Sequence, residues 1–409
     1  MITVCMIGLG YIGLPTAAVA ASRGLRVLGV DKNPEVVATV NEGRIHIVEP
    51  DLDGLVRKVV ADGALTAHVT PQPADVFVIA VPTPLAEGRR PMLDHVFGAV
   101  TALAPVLRPG NTVILESTSP VGTTRKVLTM LAGLRPDLGM PGIAPNPDIA
   151  LAYCPERVLP GRIITELVEN DRCVGGITPG CAERAAAFYE TFVRGAVLRT
   201  DAATAELVKL TENAFRDVNL AFANEMSMVA EHAGVDVWEL IRLANRHPRV
   251  NILQPGPGVG GQCIAVDPWF IVDAAPEQAR LIRVAREVND HKAVHVRARV
   301  VAAAAAMPGA PITCFGLAFK ANVDDLRESP ALEIATQLAQ DFPGRVAVVE
   351  PHIVCAPEGL AAPLLGLDAA LERPGIFVLL VDHAAFRRVP PARLAGRRLI
   401  DTRGIWAGC

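Results

Sequence analysis

One cysteine lies in a run of glycines and prolines that is typical of an active-site loop. The segment 255–268 presents Cys263 and, four residues later, Asp267. Glycine lets a backbone approach a ligand closely and proline restricts the backbone angles, so this loop can aim one sulfur at one point. A surface loop followed by a buried cysteine is the alternative, because cysteine is among the residue types most often buried. The loop alone does not decide between them.

Three polar residues on a predicted long helix could act with this cysteine. Apolar residues recur at helical spacing from about 200 to 233, and no proline interrupts them. Lys209, Asn213 and Arg216 are spaced i, i+4 and i+7, so they project from one face of the helix. Such residues also occur on ordinary solvated helices. A helix that lines a cleft is the functional interpretation.

The beginning of the chain predicts a dinucleotide site. A short apolar strand precedes Gly8-Leu9-Gly10-Tyr11-Ile12-Gly13, and a helical pattern follows. Glycines in this context allow a tight turn, and the helix N-terminus offers N–H groups to a pyrophosphate. A second strand ends at Asp31, about 20 residues on, where an acid bonds the ribose hydroxyls and repels a 2′-phosphate. The pattern therefore predicts NAD rather than NADP.

Hydroxyl and carboxyl groups follow further predicted strands. Thr83 follows the strand 75–81, and Thr118 follows the strand 111–116. Ligands of parallel sheets bind at these strand ends, although threonine also caps helices. Glu156 lies in a proline-flanked loop, where it is either a solvated carboxylate or a base.

A second α/β pattern begins near Ile312, after a helix predicted from about 278 to 306. Lys320, Arg327 and Arg403 lie at or just beyond its strand ends. They are candidates for binding a second phosphate-bearing ligand. A basic turn at His247 and Arg249 is either a surface feature or part of the site.

Length and composition set the remaining limits. A chain of 409 residues predicts two or three domains. Its net charge of −4 disfavours nucleic acid as a partner. The eight cysteines have no metal-binding spacing and no disulfide framework, so we expect no metal and a reducing, cytoplasmic environment. No apolar run is long enough to cross a bilayer, so we expect no membrane partner.

The predicted fold class is α/β, with two Rossmann-like doubly wound domains joined by a long central helix and a helical domain. We place the NAD-binding domain at 1–198, the central helical domain with the cysteine loop at 199–308, and the C-terminal domain at 309–409.

These residues together resemble the UDP-glucose/GDP-mannose dehydrogenase family over the whole chain. The matching segments are Gly8-Leu9-Gly10-Tyr11-Ile12-Gly13, Val81-Pro82-Thr83-Pro84, Ser117-Thr118-Ser119-Pro120-Val121-Gly122, Lys209 with Asn213, Gly260-Gly261-Gln262-Cys263 with Asp267, and Phe319-Lys320 with Arg327-Glu328-Ser329-Pro330. The segments 153–161, 245–251 and 324–330 resemble the branch that oxidises UDP-N-acetyl-D-mannosamine (UDP-ManNAc). Pro160 replaces a glutamate that is usual in the UDP-glucose branch, and Gln262 departs from the histidine frequent in the mannosamine branch.

The resemblance implies a four-electron oxidation of a sugar C6 alcohol to a carboxylate, with two NAD⁺ reduced. Lys209, helped by Asp267 and water, would take the hydroxyl proton, and Asn213 would hold the oxyanion. Cys263 would form a thiohemiacetal and then a thioester. Glu156 would activate the hydrolytic water, and Thr118 would orient it.

The resemblance also assigns binding roles. The cofactor residues are Gly8, Gly10, Tyr11, Ile12, Gly13, Asp31, Thr83, Thr118 and Arg327. The substrate residues are Arg157, Val158, Lys209, Asn213, Arg216, His247, Arg249, Gly260, Lys320, Ala321 and Arg403. We expect a UDP-sugar substrate and a homodimer built on the long helix, with Arg249 reaching the neighbour's site.

Several alternatives stay open. UDP-glucose, UDP-GlcNAc or GDP-mannose could be the substrate within the same family. A two-electron hydroxyacid dehydrogenase would need the lysine and asparagine but no cysteine. A non-catalytic NAD-binding module would need only the first domain. The number of NADH formed per sugar separates these classes.

Overall fold

The computed structural model describes residues 2–47, 49–158, 161–261 and 263–406. Leu159, Pro160 and Gln262 therefore lie outside the described residues. The chain divides into two compact units, Met1–Thr211 and Glu212–Cys409.

The N-terminal unit is built on one large sheet. The strands of this unit are β1 Thr3–Ile7, β2 Arg26–Val30, β3 Leu65–His68, β4 Val76–Ile79, β5 Leu85–Ala86, β6 Arg90–Pro91, β7 Thr112–Leu115, β8 Ala150–Tyr153, β9 Arg172–Gly176 and β10 Val197–Asp201. β5 and β6 pair with each other outside the large sheet. Its helices are α1 Gly13–Ser22, α2 Pro34–Asn41, α3 Leu52–Ala61, α4 Asp94–Leu103, α5 Thr123–Leu134, α6 Ile163–Glu169 and α7 Pro179–Tyr189.

The order of the strands in this sheet is β3-β2-β1-β4-β7-β8-β9-β10. The first six positions have the dinucleotide-binding order, and their strands run parallel. β9 is antiparallel to β8, and β10 is parallel to β9. Strands such as β4 and β7 are buried at every position, because apolar cores pack on both faces of the sheet.

A long helix, α8, runs from Ala202 to His232 and begins in the N-terminal unit. The C-terminal unit continues with α9 Val237–Ala244, α10 Asp267–Ala274, α11 Arg280–Ala306, β11 Ile312–Phe315, α12 Pro330–Asp341, β12 Val346–Val349, α13 Leu367–Leu371, β13 Ile376–Leu379, α14 Ala384–Arg387 and β14 Arg398–Asp401. Its sheet is parallel and has the order β12-β11-β13-β14.

The predicted fold class is confirmed, since a large α/β sheet, a helical central region and a second parallel sheet are all present. The division into domains at 1–198, 199–308 and 309–409 stays a prediction. The antiparallel β8–β9 pair is an addition to the predicted parallel sheet.

Candidate active site

The glycine turn of the N-terminal unit is tightly packed at its two ends, Gly8 and Gly13. A Cβ atom at Gly13 would lie 1.8 Å from the carbonyl oxygen of Gly8, so α1 starts directly against the turn. Gly8 has a φ of 96° and donates its N–H to Val30 at 2.8 Å. A Cβ at Gly10, in contrast, would meet nothing within 4 Å. The turn thus leaves open space at its centre, and Tyr11 and the neighbouring Ile12 lead into the helix.

The carboxylate of Asp31 is fixed at the end of β2. One of its oxygens accepts the N–H of Leu9 at 3.1 Å, and the other accepts the N–H of Asn33 at 2.9 Å. The acid therefore lies beside the glycine turn. This geometry fits a dinucleotide whose pyrophosphate lies on the turn and whose ribose faces Asp31.

The loops after β4 and β7 are joined by a serine. The Ser117 hydroxyl accepts the N–H of Val81 at 2.9 Å, so the segments that carry Thr83 and Thr118 lie side by side. Both threonines are half-buried. We did not anticipate Glu206, whose buried carboxylate accepts the N–H groups of Gly122 (2.6 Å) and Thr124 (2.7 Å) at the start of α5.

Glu156 lies in a buried charge cluster rather than on an exposed loop. It is 7% exposed, and Oε2 accepts Nη1 of Arg172 at 2.7 Å. Its Oε1 accepts the backbone N–H of Arg157 at 2.7 Å. Glu116 is also buried and accepts the Tyr189 hydroxyl at 2.7 Å. Sequence reasoning missed Glu116, Arg172 and Tyr189, because their partners are far apart along the chain.

Cys263 is exposed at the end of its loop in the C-terminal unit. Its carbonyl oxygen accepts the N–H groups of Val266 (3.1 Å) and Asp267 (2.8 Å), and α10 begins at Asp267. A Cβ at Gly260 would lie 2.3 Å from the carbonyl oxygen of Glu328. Glycine is therefore required here for close packing of the loop against the 326–330 segment. The cysteines in the described part of the chain are all thiols.

The structure brings two of the predicted catalytic residues into contact. Asn213 on α8 donates its amide N–H to a carboxylate oxygen of Asp267, and both side chains are buried. Lys209 is also buried and lies one turn earlier on α8. Arg216 is exposed on the same helix.

A buried polar chain anchors the start of the cysteine loop. Asn224 on α8 accepts the N–H of Gly256 at 2.9 Å and donates to Asn289 of α11 at 2.9 Å. Asn289 in turn donates to Asp217 at 2.8 Å, and Asp217 pairs with Arg286 at 2.7 Å. Asp217 and Asn224 are seven residues apart on α8, and Arg286 and Asn289 are three residues apart on α11, so each pair lies on one helix face.

The predicted nucleotide-binding cations are half-buried or exposed. Lys320 and Ala321 are half-buried in the loop after β11, and the Lys320 ammonium lies 5.8 Å from the centre of the Phe319 ring. Arg327 contacts Asp325 through Nη2 at 2.6 Å. Arg403 follows β14 and is half-buried.

The remaining residues predicted to bind the substrate lie in loops. His247 and Arg249 are exposed in the turn after α9, where the N–H of Arg249 donates to Nδ1 of His247 at 3.3 Å. Val158 is half-buried, and the Arg157 guanidinium donates to the carbonyl oxygen of Asp171. The functional roles of all the site residues stay predictions.

Comparison with known proteins identifies the family. Three family models match in order: the NAD binding domain of the UDP-glucose/GDP-mannose dehydrogenase family at residues 2–193, its central domain at 203–291, and its UDP binding domain at 313–408. The chain belongs to the UDP-glucose/GDP-mannose dehydrogenase family. The predicted family and the predicted NAD-dependent oxidoreductase class are confirmed, and the UDP binding domain confirms the expected class of ligand.

Individual relatives of this dehydrogenase family have two kinds of name. An NDP-N-acetyl-D-galactosaminuronic acid dehydrogenase of Ralstonia nicotianae is 60% identical over 99% of this chain and 96% of its own. A UDP-N-acetyl-D-mannosamine dehydrogenase of Escherichia coli K12 is 54% identical over 99% of both chains. The solved structure of a UDP-D-ManNAc dehydrogenase from Pyrococcus horikoshii is 37% identical, with a TM-score of 0.89, over 100% of this chain and 96% of its own.

Within the described residues, none of the helices combines the length and the apolar composition that a bilayer crossing requires.

Proposed function

We propose that this chain oxidises UDP-ManNAc at C6 to UDP-N-acetyl-D-mannosaminuronate, with reduction of two NAD⁺. The observation that carries the proposal is an exposed cysteine thiol four residues before Asp267, whose carboxylate is held by Asn213 of α8. A two-electron dehydrogenase has no use for a nucleophilic thiol on such a loop.

The first oxidation uses the residues of α8. Bound NAD⁺ supplies the hydride acceptor, and two molecules are needed because an alcohol loses four electrons in becoming a carboxylate. Lys209, assisted by Asp267 and water, takes the proton of the C6 hydroxyl. Asn213 holds the oxygen as negative charge develops on it, and its bond to Asp267 fixes the amide for that role.

The second oxidation proceeds on Cys263. The thiolate attacks the aldehyde carbon, and the resulting thiohemiacetal loses a second hydride to become a thioester. Water then cleaves the thioester and restores the thiol. Glu156 is our proposed base for this water, and Thr118 orients it. Once the thiohemiacetal has formed, the C6 carbon stays covalently bound to Cys263 until hydrolysis, so aldehyde is not released.

The cations assigned to nucleotide binding belong to the C-terminal unit. Lys320 and Arg403 supply positive charge to the diphosphate, and the backbone at Arg157 and Val158 contributes further hydrogen bonds. We place Arg327 toward NAD and assign Arg216, His247 and Arg249 to the substrate, with Arg249 reaching the site of a neighbouring copy.

A second candidate substrate is a nucleotide sugar of the N-acetylgalactosamine type. The 60% identical relative of Ralstonia nicotianae carries a galactosaminuronic acid name, and this single observation favours it. Both substrates use the same chemistry at C6, since they differ only in the configuration of the sugar ring.

A substrate panel tests the choice. We expect UDP-ManNAc to give the highest kcat/KM for NADH formation among UDP-ManNAc, UDP-GalNAc, UDP-GlcNAc, UDP-glucose and GDP-mannose. A higher kcat/KM for UDP-GalNAc would replace the substrate with the second candidate. Equal turnover of UDP-glucose and UDP-ManNAc would contradict the branch assignment and leave the family unchanged.

A further inference from the structure

Asp382 and His383 are adjacent residues that follow β13, and each contacts a part of the C-terminal unit that carries a predicted nucleotide-binding cation. Asp382 contacts the side chain of Arg403, and His383 contacts the backbone of the loop that carries Lys320. Neither residue has a role in the chemistry proposed above.

Asp382 fixes the orientation of the Arg403 guanidinium. Its Oδ1 accepts Nε of Arg403 at 2.9 Å and lies 2.8 Å from Nη2. Burial acts to raise the pKa of Asp382, but Arg403 and Arg387 outweigh it and hold the pKa below its ordinary value, so the group is a carboxylate at neutral pH. Nη1 of Arg403 points toward the cysteine loop, 3.5 Å from the carbonyl oxygen of Pro255. The guanidinium is thereby held on two sides.

His383 is fully buried, and its two ring nitrogens have different partners. Nδ1 accepts the backbone N–H of Asn322 at 3.0 Å, so the ring proton is on Nε2, which donates to Glu350 at 3.0 Å. The same oxygen of Glu350 accepts the N–H groups of Leu317 (2.8 Å) and Ala318 (3.1 Å). Three backbone groups that flank Lys320 are therefore held by this histidine–carboxylate pair.

Glu350, His352 and His383 also have the donor types of a metal site. Both ring nitrogens of His383 and the facing oxygen of Glu350 are already engaged in hydrogen bonds. The contacts therefore favour a hydrogen-bonded support for the loop over a metal centre.

We infer that Asp382 and His383 are positioning residues for the nucleotide diphosphate, Asp382 by orienting Arg403 and His383 by fixing the loop of Lys320. The inference rests on the proposed function, in which these two cations bind the UDP portion of the substrate. Preorganised cations bind a diphosphate more tightly, because the cost of ordering them is met during folding.

Asp382→Asn tests whether Asp382 orients Arg403, since the substitution keeps the shape of the side chain and removes its charge. We expect the KM for the UDP-sugar and the Kd of UDP, measured by calorimetry, to rise about tenfold. We expect kcat to change less than twofold and the KM for NAD⁺ to be unchanged. Arg387→Gln is the matched control, because Arg387 contacts the other oxygen of Asp382 and is exposed. The Arg387→Gln variant should retain the wild-type KM for the UDP-sugar and the wild-type Kd of UDP.

His383 allows a finer test because each of its bonds can be kept separately. His383→Asn retains an acceptor for Asn322, His383→Gln retains a donor for Glu350, and His383→Leu has neither. We expect the Kd of UDP to rise most in the leucine variant and by an intermediate amount in the other two. The melting temperature of each variant shows whether it is folded, and Asp382→Asn carries the test if the leucine variant is not.

These measurements distinguish failure of the proposed nucleotide site from failure of the positioning inference alone. Wild-type protein that does not bind UDP would overturn the proposed nucleotide site, and the inference with it. Wild-type protein that binds UDP, together with Asp382→Asn and His383→Asn variants of unchanged Kd, would overturn the inference alone. A parallel loss of NAD⁺ and UDP affinity in Asp382→Asn would also contradict it, because a positioning role affects only the nucleotide sugar.

Discussion

Two buried carboxylates lie near one arginine in the N-terminal unit. Glu156 pairs with Arg172, whereas Glu116 contacts Tyr189. The pKa of Glu116 is raised to about 7, first by burial and then by repulsion from Glu156, while Arg172 and the Tyr189 hydroxyl act in the opposite direction. Near neutral pH Glu116 is therefore partly protonated within this cluster.

This shifted pKa predicts a pH-dependent stability. Between about pH 5 and pH 7, Glu116 keeps a proton in the folded state that the unfolded chain has released. The free energy of unfolding should fall as pH rises through this window and level off above it. In Glu116→Gln the fall from pH 5 to pH 8 should be smaller by on the order of 2 kcal/mol.

Urea unfolding followed through the tyrosines measures this fall, because all three tyrosines belong to the N-terminal unit. Glu87→Gln, a substitution at an exposed position of the same unit, is the control and should show the wild-type pH dependence. An unaltered pH dependence in Glu116→Gln would show that Glu116 titrates normally.

Glu156 is tested by separating thioester hydrolysis from the two oxidations. Glu156→Gln should release a burst of two NADH per active site and then turn over about 10²–10⁴-fold more slowly, because only the final step needs the base. The peptide that carries Cys263 should gain the mass of the bound sugar nucleotide. Cys263→Ala should give neither the burst nor the adduct.

The contact between Glu156 and Arg172 supplies the rival explanation. If Glu156 only pairs with Arg172 to hold its loop, Glu156→Gln would be slow from the first turnover and no thioester would accumulate. That outcome would remove Glu156 from the hydrolytic step.

The cysteine loop packs closely enough that even one added methyl group would displace it. Gly260→Ala would place a methyl group 2.3 Å from the Glu328 carbonyl oxygen and 2.8 Å from the Pro330 ring, so the loop must shift. We expect turnover to fall at least about tenfold, since small misplacements of a catalytic group are costly. The rate of Cys263 alkylation should change as well.

Gly366→Ala is the control for this substitution. Gly366 has a φ of −66°, and a Cβ there would meet nothing within 4 Å. A Gly260→Ala protein with wild-type turnover and alkylation would show that the loop position does not depend on this contact.

The elements themselves were largely predictable because their patterns are local. Apolar spacing placed the long helix at about 200–233, and α8 spans Ala202–His232. The glycine turn and the acid at the end of β2 also follow from nearby residues. Two side-chain pairings do not follow from nearby residues: Glu156 with Arg172, and Asp382 with Arg403. Each joins segments whose proximity depends on the strand order. The direction of β9 is likewise set by its tertiary neighbours.

The helix α8 has an exposed apolar stripe along one side. Phe215, Phe222 and Val229 recur every seven residues and are 69%, 51% and 51% exposed. A seven-residue repeat is the spacing of a helix–helix contact, and a second copy of the chain offers the same stripe by symmetry. We therefore propose a homodimer through α8.

Phe222→Glu should dissociate this dimer at micromolar concentration, because it places a charge at the centre of the stripe. Light scattering coupled to size-exclusion chromatography measures the mass. Val354→Glu, at a fully exposed position elsewhere in the C-terminal unit, should stay dimeric. A monomeric wild-type protein would contradict the proposed dimer.

The number of NADH molecules formed per sugar shows whether Cys263 carries the aldehyde through a second oxidation. If it does, limiting UDP-ManNAc with excess NAD⁺ should yield two NADH per sugar and the uronate as the product, without aldehyde in solution. One NADH per sugar, with aldehyde captured by a hydrazine reagent, would contradict the thioester route and make this chain a two-electron dehydrogenase.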